Sequence, residues 1–188
     1  MGEHVTRRRF LWPAVALAVL VIELGATLGT VNGEPFSPVA GWGPTRPADA
    51  LAFAAVVLGC GALALIDRFP RTVAVVATGS YVVFALRDHE LGMFLPPMVA
   101  TFALAALTRH RRTAIVSALT SLAAAMIWVA GRTGTIADSG VALLGWVAFA
   151  AVLAVFFLVP LLIGEIVRTR SLLRAARSRP VAVLPPLG

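Results

Sequence analysis

The arginines of this chain are distributed very unevenly among the connections between its apolar segments. All 16 basic residues are arginine; 13 of them lie at alternate ends of the apolar segments, and the remaining connections hold only three. The 13 are Arg7, Arg8, Arg9, Arg68, Arg71, Arg109, Arg111, Arg112, Arg168, Arg170, Arg174, Arg177 and Arg179, and the three are Arg46, Arg87 and Arg132. Such a one-sided excess is the positive-inside pattern of polytopic membrane proteins. The sequence therefore predicts a multi-pass membrane protein whose arginine-rich side faces the cytoplasm.

Composition supports lipid, rather than water, as the main solvent of the chain. Hydrophobic residues make up 59% and charged residues 13%, against about 25% charged residues in a typical soluble domain. A net charge of +7 would suggest nucleic acid in a soluble protein, but these arginines flank apolar segments and would lie against anionic head groups. We therefore expect the lipid bilayer, and no nucleic acid, as a partner. The absence of lysine and the abundance of alanine are typical of a high-GC bacterial genome, which predicts the bacterial cytoplasmic membrane.

Six apolar segments follow one another along the chain. They comprise residues 10–31, 48–66, 72–86, the segment before Arg109, 113–131 and 141–163. The first would reach ~33 Å as a helix, enough to cross ~30 Å of hydrocarbon, and it exceeds the apolar core of a signal peptide. The third would reach only ~22 Å. Pro96 and Pro97 place the start of the fourth helix near Pro96, because proline is tolerated in a first helical turn.

The predicted fold is an all-α bundle of six transmembrane helices with both termini in the cytoplasm. Residues 1–9 would form a basic cytoplasmic N-terminus, and residues 10–167 the transmembrane domain. Residues 168–188 would form a basic cytoplasmic stub followed by a Pro-rich tail. Ile166 and Leu173 lie seven residues apart among arginines, so we expect the last helix to continue into the stub.

Glu23 is the only carboxylate well inside an apolar segment. It lies in the half of the first segment that is remote from the arginine-rich side. Acids within the membrane are costly and usually face a cavity or a partner. Two interpretations are open: Glu23 is a ligand-binding or proton-sensing carboxylate, or it is a protonated or paired residue that joins helices.

A second group of candidate site residues lies on the arginine-poor side, on the short hairpin between the third and fourth segments. Arg87, Asp88, His89 and Glu90 form the densest mixed-charge cluster there. Because histidine changes charge between pH 5 and 8, His89 is a candidate sensor; the alternative is a solvated turn with local ion pairs. One imidazole without a second is a poor metal site, so no metal is expected.

The sequence offers no recognisable catalytic constellation. It has no Gly-rich phosphate loop, no G-x-S-x-G elbow and no H-E-x-x-H motif. Its one cysteine, Cys60, lies inside an apolar segment, where a buried, unreactive thiol is the usual role. We therefore expect a protein that is not an enzyme and that carries no cofactor.

Four stretches of the chain carry a resemblance to a known family. They are Pro47-Ala48-Asp49, Asp67-Arg68-Phe69-Pro70-Arg71-Thr72, Arg109-His110-Arg111-Arg112 and Gly164-Glu165-Ile166-Val167-Arg168-Thr169-Arg170. In these stretches and in the order of its parts, the chain over residues 7–177 resembles the transmembrane input domain of bacterial sensor histidine kinases. In that family, short transmembrane helices precede a cytoplasmic dimerisation helix and a catalytic domain.

The resemblance implies a sensor-like module in which Glu165, Arg168 and Arg170 begin the output segment. The chain departs from the family at Pro180, beyond which the sequence contains neither the phospho-accepting histidine nor the ATP-binding domain. We therefore expect no kinase activity, and a second copy of the chain, a separate kinase or another membrane protein as partner.

Two further functions are open. The first alternative is a small transporter or channel subunit with Glu23 on its conduction path, although the sequence shows none of the internal repeats that transporters often carry. The second is a subunit of a membrane enzyme.

Overall fold

The computed structural model describes residues 2–33, 36–90, 92–108 and 110–177. Within these ranges the chain forms six α-helices and no β-strand, so the prediction of an all-α fold is confirmed. The helices are α1 (Gly2–Asn32), α2 (Ala50–Ala62), α3 (Pro70–Leu86), α4 (Leu95–Leu107), α5 (Arg111–Thr133) and α6 (Ser139–Arg177). The side chains of residues 1–9 and the expected Pro-rich tail, residues 178–188, lie outside the described part of the chain.

The helices fall into two classes by length. Three are long and apolar enough to cross a membrane, namely Phe10–Asn32 within α1, Arg111–Thr133 and Ser139–Arg177. The other three, Ala50–Leu65, Pro70–Leu86 and Leu95–Leu107, are apolar but shorter. These helices indicate a membrane protein, whereas six crossings stay a prediction.

Most helix boundaries differ by a few residues or more from those predicted, the first two helices show the reasons, and the start of α4 agrees. α1 begins at Gly2 instead of residue 10, since its helical backbone continues through the N-terminal arginines. α2 is shorter than residues 48–66: Asp49 caps its first turn, and it tightens into a 3₁₀ turn over Leu63–Leu65. α4 begins at Leu95, one residue before Pro96, in agreement with the rule that proline is tolerated at the start of a helix.

α4 lies at the centre of the bundle although it has only 13 residues. It packs against α3, α5 and α6 and also touches α1 and α2. Its buried residues are Pro96, Pro97, Ala100, Thr101, Ala103, Leu104, Ala105 and Ala106. α1, by contrast, packs mainly against α2 and the 3₁₀ turn. The other helices therefore shield α4 from the surroundings.

Small residues let α6 approach α4 very closely. A Cβ atom on Gly164 of α6 would lie 2.6 Å from the Cβ of Ala105 and 3.0 Å from the carbonyl oxygen of Phe102. Small residues at such crossings are typical of helix packing in membranes, where association depends on van der Waals contact and interhelical hydrogen bonds. Such bonds are present as well, since the hydroxyls of Thr78 on α3 and Ser117 on α5 are hydrogen-bonded.

The connections between helices collect at the two ends of the bundle. At one end lie residues 36–49, 87–90, 92–94 and 134–138, which we call the His89 end. At the other lie residues 66–69, 108 and 110, which we call the Arg111 end. α6 is the longest helix at 39 residues, or ~58 Å, and it runs from the His89 end past the Arg111 end.

Candidate functional site at the His89 end

Backbone hydrogen bonds join three connections at the His89 end. The N–H of Arg46 donates to the carbonyl of Asp88 at 2.7 Å, and Arg46 and His89 form an isolated β-bridge. The N–H of Gly43 donates to the carbonyl of Arg132 at 3.2 Å. The loop after α1, the α3–α4 connection and the end of α5 are therefore held together through groups that would otherwise need water.

His89 is buried within this framework, with only 1% of its surface exposed. Its Nδ1 lies 3.4 Å from the carbonyl oxygen of Arg46, and its own carbonyl accepts a hydrogen bond from the Trp128 indole at 2.9 Å. Its Nε2 lies 3.7 Å from Oδ1 of Asp49 and has no hydrogen-bond partner among the described residues. The alternative of a solvated turn is therefore wrong for His89.

Asp49 connects His89 to two arginines and to α2. Oδ1 accepts hydrogen bonds from the N–H groups of Leu51 and Ala52, as expected of an N-cap aspartate. Oδ2 lies 2.8 Å from Arg87 and 3.5 Å from Arg46. The N–H of Ala52 and, secondly, the hydrogen bond from Arg87 lower the pKa of Asp49 to about 2. Asp49 is therefore a stable negative charge beside His89.

Arg132 organises the other side of the cluster from within the bundle. Its side chain is only 6% exposed, yet the guanidinium reaches Oδ1 of Asp88 at 2.7 Å and the Asp88 carbonyl at 3.2 Å. It also donates to the carbonyl of Pro44 and lies over the Trp128 ring, 5.3 Å from its centroid. Asp88 has a left-handed backbone, with φ of 64°, which Asp adopts more readily than most residues. Arg132 thus fixes the turn that presents His89.

A small cavity of about 10 Å³ lies beside His89, close to the minimum volume that holds one water molecule. It is walled mainly by aromatic and apolar side chains of α3, α5, α6 and the α3–α4 connection, with Tyr81, His89 and Glu90 as its ionisable members. The lining residues are Tyr81, Phe84, Ala85, His89, Glu90, Gly92, Phe94, Ala125, Trp128 and Leu153. The cavity therefore gives His89 an apolar neighbourhood with space for a very small polar molecule.

Glu23 is buried, with 4% of its surface exposed, but it does not line this cavity. Oε2 accepts a hydrogen bond from the N–H of Met93 at 2.8 Å, and Oε1 accepts one from the N–H of Leu95 at 2.9 Å. Leu95 is the first residue of α4, so the carboxylate of α1 satisfies donors at the start of the central helix. This is the geometry of a residue that joins helices.

The predicted site residues thus separate into three places. Arg87, Asp88, His89 and Glu90 belong to the cluster around Asp49 and Arg132, and the carboxylate of Glu90 accepts a hydrogen bond from the N–H of Phe36. Glu23 lies apart, at the start of α4. Of the output candidates on α6, Glu165 pairs with Arg111 of α5 at 3.0 Å, while Arg168 and Arg170 lie further along the same helix.

Sequence reasoning missed Asp49 and Arg132 as members of the cluster. Asp49 directly precedes a helix, which is a recognisable N-cap signal. Arg132 is one of only three arginines on the arginine-poor connections. An arginine on this side is an exception to the charge pattern, which indicates that it has a local acidic partner. Among the described residues, no group of three His, Cys, Asp or Glu side chains could hold a metal ion. No family model, curated protein or solved structure matches this chain.

Proposed function

We propose that this chain is a multi-pass membrane sensor module in which the cluster around His89 receives a signal and α6 transmits it across the membrane. In this proposal the chain crosses the membrane six times with both termini in the cytoplasm, and the His89 end faces outward. The arginine distribution supports that orientation. A separate protein, such as a kinase, or a second copy of the chain would receive the output from α6.

The observation that carries the proposal is the continuity of α6. Leu153 of α6 lines the cavity beside His89. The same helix then crosses α4 at Gly164, pairs with α5 through Glu165 and continues to Arg177. Although Pro160 removes one backbone hydrogen bond between Leu153 and Gly164, the helix is unbroken from the cavity to Arg177, so a change at the cavity can reach Arg168 and Arg170.

Protonation of His89 is the signal that the cluster supports best. The imidazole faces Asp49, the N-cap of α2, and the carbonyl of Arg46, with Arg87 and Glu90 on its own connection. Arg132 of α5 holds Asp88 beside it. A proton on Nε2 would turn the 3.7 Å approach to Asp49 into an ion pair that competes with the arginines. The contacts of Asp49 with Arg46 and Arg87 would then change, next to Trp128 and the other residues that line the cavity.

A transporter or channel subunit has less support. Both carboxylate oxygens of Glu23 accept backbone hydrogen bonds, which is the role of an interhelical anchor and not of a group that lines a conduction path. Proton flux into liposomes that Glu23→Gln abolishes, with normal protein folding, would favour this alternative.

The proposal is tested by measuring the position of α6 in the full chain in lipid nanodiscs. Spin labels at Leu65→Cys and Leu172→Cys, both exposed side chains, are introduced with the buried Cys60 replaced by alanine. We expect the distance between the labels to change by about 1–2 Å between pH 8 and pH 5.5, the scale of helix shifts in switching proteins. His89→Gln should abolish the change.

His110→Gln is the matched control, because His110 lies at the Arg111 end and should leave the response intact. A distance that is independent of pH in the wild type would contradict proton sensing. A response that persists in His89→Gln but disappears in His110→Gln would place the titrating group at the wrong end of the bundle for this proposal.

A further inference from the structure

An open, basic pocket of about 400 Å³ lies at the Arg111 end, remote from the His89 cluster. Arg71 of α3 and Arg111 and Arg112 of α5 are among the residues that line it. Its complete lining is Arg71, His110, Arg111, Arg112, Thr113 and Ile115. Two helices and the connection before α5 therefore bring three positive charges around one concave surface.

The arginines of this pocket carry little compensating negative charge. Within the described part of the chain, Arg111 pairs with Glu165, and no salt bridge joins Arg71 or Arg112 to a carboxylate. Arg71 instead donates from Nε to Nδ1 of His110 at 3.1 Å, which orients its guanidinium without neutralising it. The three arginines of the pocket therefore carry more positive charge than Glu165 balances, and their remaining N–H donors can bind an anion.

We propose that this pocket binds the phosphate of an anionic phospholipid head group. Guanidinium groups match phosphate oxygens in geometry as well as in charge, and basic pockets between transmembrane helices bind lipid head groups. Among the described residues no side chain caps the start of α5, so the N–H groups of its first turn add favourable polarity toward an anion.

The apolar surface beside the pocket favours a lipid over free phosphate. Arg111 is the first residue of a candidate membrane span, so the pocket lies where head groups would be. Ile115 forms part of the lining, and Val116 and Leu119 are exposed further along α5. A phospholipid could therefore place its phosphate among the arginines and an acyl chain along this apolar strip, whereas inorganic phosphate would use only the charged part.

The test uses the full chain in detergent with bound lipid measured by native mass spectrometry. Mixed micelles contain equal amounts of phosphatidylglycerol and phosphatidylcholine. We expect the wild type to retain phosphatidylglycerol selectively, and the variant with both Arg71→Gln and Arg112→Gln to retain it about tenfold less, since each basic residue near an anionic lipid strengthens its binding severalfold. The single variant Arg112→Gln, at an exposed side chain, should show an intermediate loss and serves if the double variant does not fold.

Arg68→Gln is the matched control, because Arg68 is an exposed arginine near the same end that stacks over Phe69 and does not line the pocket. Retention by this variant should equal that of the wild type. An equal loss in Arg68→Gln and in the pocket variants would show a diffuse surface charge effect and overturn the proposal. Displacement of the lipid by millimolar inorganic phosphate would also overturn it, in favour of a free-anion site. The pocket shares no residue with the His89 cluster, so either proposal can fail without the other.

Discussion

Glu23 holds Met93 in a backbone conformation that few non-glycine residues adopt. The φ angle of Met93 is 62°, and its N–H donates to Oε2 of Glu23 at 2.8 Å. A left-handed conformation costs an L-residue roughly 1–2 kcal/mol, so the surrounding contacts must favour it. The carboxylate therefore ties α1 to the entry of the central helix and stabilises a turn that would otherwise be strained.

Replacement of Glu23 by glutamine should destabilise the protein. The amide offers one acceptor oxygen in place of two, so either Met93 or Leu95 loses its hydrogen bond in a buried environment. An unsatisfied buried donor costs about 1–3 kcal/mol, and we expect a decrease of that size in the free energy of unfolding, measured by denaturant titration in detergent. Glu165→Gln is the control, since Glu165 makes a partly exposed ion pair worth at most about 1 kcal/mol. Equal stability of the two variants would refute the anchoring role.

Arg132 and Asp88 should show energetic coupling in a double-mutant cycle. Asp88→Asn removes the charge and keeps a residue that tolerates the left-handed φ of 64°, whereas Arg132→Met removes the guanidinium and keeps an apolar side chain of similar length. We expect a coupling free energy of about 0.5–3 kcal/mol in unfolding experiments, because one partner is buried and the other exposed. Additive effects would mean that Arg132 acts through the carbonyls of Pro44 and Asp88 and the Trp128 ring, and not through the Asp88 carboxylate.

Asp49 should contribute stability that depends on pH in the acid range. Its pKa is lowered from 3.8 to about 2 in the folded protein, so the folded state favours the charged form. The contribution is complete above the ordinary aspartate pKa and is lost as pH falls through the folded pKa. We expect the thermal midpoint of the wild type to exceed that of Asp49→Asn at pH 6, and the difference to close between pH 4 and pH 2.

Arg87→Gln provides the internal comparison for Asp49. It removes the second cause of the lowered pKa and leaves the first, the N–H of Ala52, in place. This variant should therefore retain part of the pH dependence that Asp49→Asn lacks. If Asp49→Asn instead differs from the wild type by the same amount at pH 2 and pH 6, the charge of Asp49 has no role in folding stability.

A methyl group at Gly164 should separate α6 from α4. The added Cβ would meet the Cβ of Ala105 at 2.6 Å, the carbonyl of Phe102 at 3.0 Å and the N–H nitrogen of Ala106 at 3.2 Å, and two of these are backbone atoms that cannot rotate away. Overpacking of this kind costs typically 1–3 kcal/mol. Gly79→Ala is the control, as no heavy atom lies within 4 Å of its added Cβ. Thermal unfolding should show a lower midpoint for Gly164→Ala alone.

The sequence allowed the helices to be predicted because their signals are local. Apolar length, proline position and arginine clusters each depend on a few neighbouring residues, and the expected start of α4 near Pro96 agrees with its observed start at Leu95. α1 is longer than predicted because its helical backbone continues through the N-terminal arginines. α2 begins later than predicted because Asp49 caps its first turn. The N-cap signal at Asp49 would have corrected the predicted start of α2.

The candidate site was only partly predictable because its contacts join distant residues. The cluster of Arg87 to Glu90 was visible as adjacent charges, but Asp49 lies 38 positions before Arg87 and Arg132 lies 44 positions after Asp88. Glu23 and Met93 are 70 positions apart. No periodicity in one sequence pairs such residues, and the left-handed backbone at Met93 has no composition signal at all.

The position of α4 has a consequence for how the protein is assembled. At 13 residues, or ~20 Å, this helix is too short to match ~30 Å of hydrocarbon by itself, and neighbouring helices replace lipid as its surroundings. It therefore cannot reach its final environment as an independently stable unit. We therefore expect α4 to reach its buried position only once α3, α5 and α6 are present, which would make burial of the centre a late step in the assembly of the bundle.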